Sequence, residues 1–130
     1  LDPRSREVAE TLMARQRLFH RTRRQLSDPL HTAFLFVLTP ERLPILETAR
    51  AVATLSDSHI PVAGAIVNRV LADAADSAFF AARLARQQRH MIQLDEAFKG
   101  LPRIHLPLLE DDIQGLDALQ NFAALLGATV

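Results

Sequence analysis

The sequence predicts an α/β fold, a parallel sheet of about three strands with helices on both faces. Two short apolar runs bounded by breakers, residues 33–38 and 62–67, have the character of strands buried on both faces. Longer segments with helical apolar spacing lie around and between them. Strands and helices alternate in the order α-β-α-β-α-β-α, which calls for right-handed crossovers and parallel pairing.

The first element is a helix from Arg6 to Leu26, with Val8, Leu12, Phe19 and Leu26 at roughly helical spacing. Pro3 suits its start and Ser27-Asp28-Pro29 its end. Arg15, Arg17, Arg21, Arg23 and Arg24 crowd its second half, where cations complement the helix dipole. The run Ala33 to Leu38 is the first strand. Thr39-Pro40-Glu41 then reads as a helix start, with Thr39 as N-cap, Pro40 at the first helical position and Glu41 in the first turn. On that helix Ile45, Ala49, Val52 and Ala53 share one side. Ile60-Pro61 opens the second strand, Val62 to Val67, which stops at Asn68-Arg69. A small-residue connection, Leu71 to Asp76, leads to a third helix marked by Phe80, Leu84, Met91, Leu94 and Phe98. Gly100 and Pro102 stop it, and Arg103 to Leu106 reads as the third strand, ending at Pro107. Asp111 and Asp112 precede a last helix, with Leu116, Leu119, Ala123 and Leu126 expected on its buried side and Gly127 at its end.

The totals bound the function. The 130 residues suffice for one domain. Fifteen basic side chains balance fifteen acidic ones, which argues against a nucleic-acid-binding or membrane-surface protein. Without cysteine there is no disulfide and no thiolate metal site, and a reducing cytosol is compatible. No apolar stretch approaches the ~18 residues of a membrane helix, so direct membrane insertion is not expected. The chain opens Leu1-Asp2-Pro3 without methionine and is read as an interior piece of something longer.

In open α/β sheets ligands sit beyond the carboxyl ends of the strands. The residues there are Thr39-Pro40-Glu41, Asn68-Arg69 and Pro107-Leu108-Leu109-Glu110. An asparagine amide suits the edge of a purine. It equally ends a strand through a local turn. Both readings of Asn68 stand on residue type alone. The five histidines are scattered, with none at metal-site spacing, and read as surface or boundary residues. Asp111-Asp112 is read as a cap rather than a cation site, and the arginine-rich first helix as a solvated face. There is no nucleophile-elbow serine, and Gly64, Gly100, Gly115 and Gly127 stand alone, so no glycine loop for phosphates is present.

Four segments together resemble the C-terminal half of the arsenical-pump-driving, ArsA-like, anion-transporting ATPases. They are FVLTPERLPILETARAVATL (36–55), IPVAGAIVNRVL (60–71), FFAARLARQQRHMIQLDEAF (79–98) and LPRIHLPLLEDDIQGLDAL (101–119). The same family includes the cytosolic targeting factor for tail-anchored membrane proteins. The resemblance implies that residues 1–130 are the C-terminal portion of a single P-loop ATPase domain. The phosphate loop, the switch regions and the Mg²⁺ ligands would lie in an N-terminal half outside this chain. It further implies an adenine pocket built from Asn68 and from Pro107, Leu108 and Leu109, the loop running on to Ile113. No catalytic residue and no metal ligand are expected here. ATP and Mg²⁺ would be cofactors of the full-length parent, and this chain alone is expected to be inactive and to hold neither tightly.

The partners implied are a second copy, in a nucleotide-sandwiching homodimer or a tandem pseudodimer, and a membrane-protein client or a membrane-embedded pump subunit. The location implied is cytoplasmic. Two family features are missing. No cysteine pair stands in Asp76-Ser77-Ala78-Phe79-Phe80 to bridge a dimer through zinc, and no thiolate is present for arsenite. The alternative is a non-catalytic α/β protein-interaction domain using its basic first helix and a sheet edge.

Overall fold

The computed structural model describes residues 2–72 and 77–128. The elements follow the expected order: α1 (Pro3–Ser27), β1 (Phe34–Leu38), α2 (Arg42–Asp57), β2 (Val62–Val70), α3 (Ala78–Ala97), β3 (Arg103–Pro107) and α4 (Gly115–Ala128). The three strands form one sheet in the order β1-β2-β3. Both pairings are parallel, with Leu38 opposite Val67 and Ile66 opposite Ile104. All three carboxyl ends therefore lie at one edge. Part of the expected connection from Leu71 to Asp76, residues 73–76, lies outside the described residues.

The core is built on one face. Leu38, Ala65 and Val67 from the sheet meet Ile45 of α2 and Leu94 of α3, with Phe98 just beyond it; Phe36, Ala49, Val52 and Met91 surround them. Val67 and Leu94 are completely buried. Both crossover helices share this face because right-handed crossovers taken in one direction along a sheet place their helices on the same side. Coverage of the other face is unequal. Leu106, outside that cluster and on the opposite face by strand alternation, is buried, whereas Leu35 and Val37 on β1 are 58% and 64% exposed.

Local chemistry sets the joints. Asp2 caps α1 by accepting the Ser5 N–H at 2.8 Å, and that bond is the first cause holding its carboxyl below the usual range. Asp28, just past the end of α1, is lowered first by the Leu30 N–H and then by its bond to His31. Ser77 caps α3 through the Phe80 N–H. Arg103 ties β3 to the end of α3, donating to the Phe98 carbonyl and to Asp95 at 2.9 Å. At Gly64 the chain passes close to another strand's entry: a Cβ there would meet the Pro102 carbonyl oxygen at 2.8 Å. That same oxygen accepts the Ala65 N–H.

Some details differ from the sequence reading. Thr39 is not the cap of α2; Glu41 holds that position without a side-chain bond. The aspartates Asp111 and Asp112 stand clear of α4, which opens at Gly115 with a φ of 80°. Nor does Gly127 end α4, which runs through Ala128. Its half-buried residues are Ala118, Phe122, Leu125 and Leu126, whereas Leu116, Leu119 and Ala123 are exposed. The helix is apolar on most sides, so periodicity alone does not fix which stripe faces inward. The apolar positions of α1, Val8, Leu12, Phe19 and Leu26, are likewise exposed, and neither α1 nor α4 contains a buried residue.

Candidate functional site

The carboxyl edge of the sheet collects the residues that can do chemistry. β2 reaches it through an irregular end. The register with β3 slips between Val67 and Val70, and Arg69 adopts a left-handed φ of 63°. For a side chain larger than glycine that conformation costs about 1–2 kcal/mol. Slips of this kind re-aim side chains at strand ends. β2 and the loop after β3 are joined there: Val70 pairs with Pro107, and the Leu108 N–H donates to the Val70 carbonyl at 2.8 Å.

The structure places the four expected site residues along this joint. Asn68 is half-buried and lines a recess of about 340 Å³ with Val37, Thr39, Pro44, Glu47 and Thr48. Its Oδ1 accepts the N–H of the next residue, Arg69, at 2.9 Å. This is the local bond of a strand-ending asparagine, and it leaves the two Nδ2 hydrogens for another acceptor. Leu108 lines a different and larger cleft of about 830 Å³ with Arg69. Pro107, the last residue of β3, and Leu109, in the loop after it, line neither cavity; both are exposed. The four residues are thus neighbours through the backbone joint, and their side chains divide between two openings.

Sequence reasoning missed what braces the larger cleft. Gln87 of α3 is buried and reaches across to β2's exit, where its Oε1 accepts the Leu71 N–H at 2.8 Å and its Nε2 donates to the Leu71 carbonyl at 3.2 Å. His90 Nδ1 lies 3.2 Å from the Pro40 carbonyl and ties α3 to the turn after β1. A polar residue at helical spacing from Leu84, Met91 and Leu94 was the available signal: Gln87 stands on the buried stripe. Among the described residues no group of three or more histidines or carboxylates is arranged for a metal.

A parallel sheet whose polar strand ends line two openings at its carboxyl edge is an open α/β fold of the kind that holds ligands at that edge. The sequence says which. The anion-transporting ATPase (ArsA_ATPase) family profile matches residues 2–128, and the chain belongs to that family, whose ATPase domain is a P-loop NTPase fold. Among curated relatives it is similar to ATPase ARSA2 of Chlamydomonas reinhardtii, 34% identical over 76% of this chain and 28% of that protein. It is similar to ATPase GET3A of Arabidopsis thaliana, 35% identical over 77% of this chain and 29% of that protein. The putative arsenical pump-driving ATPase 2 of Aquifex aeolicus is 29% identical over 92% of this chain and 40% of that protein. The chain therefore spans well under half the length of these relatives. No helix among the described residues is long and apolar enough to cross a membrane.

Proposed function

We propose that this chain is the adenine-contacting, C-terminal part of an ArsA-like ATPase that couples ATP binding and hydrolysis to a conformational change of a dimer. The observation that carries the reading is that the strand end bearing Asn68 is joined, through Val70, to Pro107 and Leu108. Asn68 has its acceptor held by the Arg69 N–H and, among the described residues, no acceptor on its amide hydrogens, so it presents donors in a fixed orientation. The loop beside it offers exposed apolar surface from Leu108 and Leu109, tied to β2 by the Leu108–Val70 bond. Directed donors plus an apolar platform fit a purine, whose ring nitrogens accept and whose faces stack. Asn68 would hold the purine edge, and Pro107, Leu108 and Leu109 its face.

ATP and Mg²⁺ would supply the phosphoryl chemistry elsewhere in the intact protein. Phosphoryl transfer rests on positioning the γ-phosphate with a glycine loop, lysines and the metal, and the lone lysine here, Lys99, follows α3 at the far end of the strands. The isolated chain should accordingly not hydrolyse ATP, and should bind it more weakly than ~1 mM. The same reading gives a homodimer or tandem pseudodimer in the cytoplasm, working with a membrane-protein client or a membrane-embedded pump subunit. Balanced charge gives no reason to include nucleic acid.

The test is Asn68→Ala in the full-length protein. ATP binding should weaken by roughly 1–3 kcal/mol, the scale of an unpaired polar group. The loss should be selective for adenine. An equal loss for ATP and for an abasic triphosphate would mean that Asn68 acts on folding, and the reading would fail.

A further inference from the structure

We propose that the larger cleft is an anion site in its own right, for an organic phosphate of more than one charge, bordering the adenine pocket at Leu108. Its walls come from three elements. Arg42 stands at the start of α2, Arg69 at the end of β2, and Arg83 and Arg86 on one face of α3. Among the described residues the lining sets one carboxylate, Glu41, against these four guanidiniums. Among the described residues none of the four is in an ion pair; the two pairs present are Arg103–Asp95 and His31–Asp28. Like charges that outnumber the described counter-charge around one concavity raise its affinity for anions. The guanidinium fork matches phosphoryl oxygens in pairs.

The cleft is also built rather than incidental. Gln87 and His90 fix its floor through the Leu71 and Pro40 backbone. Arg83 lies 5.9 Å from the Phe79 ring centroid, a cation–π contact that orients it. Arg69 reaches the cleft from a strained, left-handed residue in a slipped register. The volume, about 830 Å³, exceeds what inorganic phosphate needs and suits a phosphorylated organic molecule, whose body would meet the apolar part of the lining. The proposal does not depend on the assignment of Asn68 to adenine.

The experiment titrates pyrophosphate into the full-length protein by calorimetry while a non-hydrolysable ATP analogue saturates the nucleotide site. One pyrophosphate per chain should still bind, and more weakly as salt rises. The double variant Arg83→Ala/Arg86→Ala should lose at least tenfold in pyrophosphate affinity with the affinity for the ATP analogue unchanged. The lysine pair Arg83→Lys/Arg86→Lys should fall between, because it keeps charge and loses the fork. Arg42→Ala, on a different helix, should weaken pyrophosphate independently. Displacement of pyrophosphate by the ATP analogue would assign these arginines to the nucleotide site and overturn the proposal. Wild-type pyrophosphate affinity in both alanine variants would also overturn it.

Discussion

Gln87→Leu is the perturbation that isolates what holds the strand end against α3. Leucine keeps nearly the same volume at a position that is 8% exposed, so packing changes little. It removes both bonds to Leu71, 2.8 Å to the N–H and 3.2 Å to the carbonyl, across 16 residues of chain. An orphaned backbone group sealed from water costs about 1–3 kcal/mol. Leu71 is only half-buried, so each orphan belongs at the low end, and the pair should cost about 2–3 kcal/mol. Urea unfolding of the full-length protein reads this directly. At a slope of about 2 kcal/mol/M the midpoint should drop by roughly 1 M with the slope unchanged. Gln87→Glu should lie between, since it keeps the acceptor for the Leu71 N–H and turns a second oxygen toward the carbonyl. If Gln87→Leu unfolds within about 0.5 kcal/mol of wild type, water replaces the clamp at no cost and the reasoning is wrong.

Gly64→Ala should destabilise by about 1–3 kcal/mol, because the new Cβ meets the Pro102 carbonyl at 2.8 Å and neither backbone can step aside alone; an unchanged thermal midpoint would show that the approach is slack. Leu94→Ala should cost about 2–5 kcal/mol at its fully buried site, whereas Leu12→Ala, at 59% exposure, should stay within about 0.5 kcal/mol; equal losses in denaturant unfolding would contradict the assigned core. Asp2 has a folded pKa below its unfolded one, so its cap supports α1 above the ordinary carboxylate range and is lost as pH falls through the folded value. Far-UV circular dichroism should therefore report fraying of α1 below about pH 4, and Asp2→Asn should reduce that dependence; identical traces would remove the cap from the account.

The strands were legible in the sequence because each is a short apolar run between breakers. The observed Phe34–Leu38, Val62–Val70 and Arg103–Pro107 differ from 33–38, 62–67 and 103–106 mainly where β2 runs on through Asn68 and Arg69. That extension was hidden because polar residues close an apolar run, while pairing of Val70 with Pro107 keeps the strand going. The buried stripe of α2 was legible at Ile45, Ala49 and Val52, although Ala53 is exposed. Thr48 and Gln87 were not, since a buried polar side chain is defined by partners distant in sequence. At the site, the cluster of strand ends followed from parallel topology. The division of Asn68 and Leu108 between two openings did not, nor did the left-handed backbone at Arg69 beside them, for which arginine gives no local signal.

The one-sided core has a consequence for how the molecule opens. β2 is hydrogen-bonded on both edges and carries Ala65 and Val67 into the cluster, so its amides should exchange with solvent last, through the largest opening the domain undergoes. α1 has 25 residues and none of them buried, so its amides depend on the Asp2 cap and neighbouring turns for protection. It should flicker between helix and coil on its own clock, without waiting for the sheet. α4 should follow the same rule at the other end. The chain is then a gradient of protection, deepest in its middle third and shallow toward both ends. A protease probing it would find its first cuts in helices rather than in loops, inverting the usual order in which loop tips are nicked first.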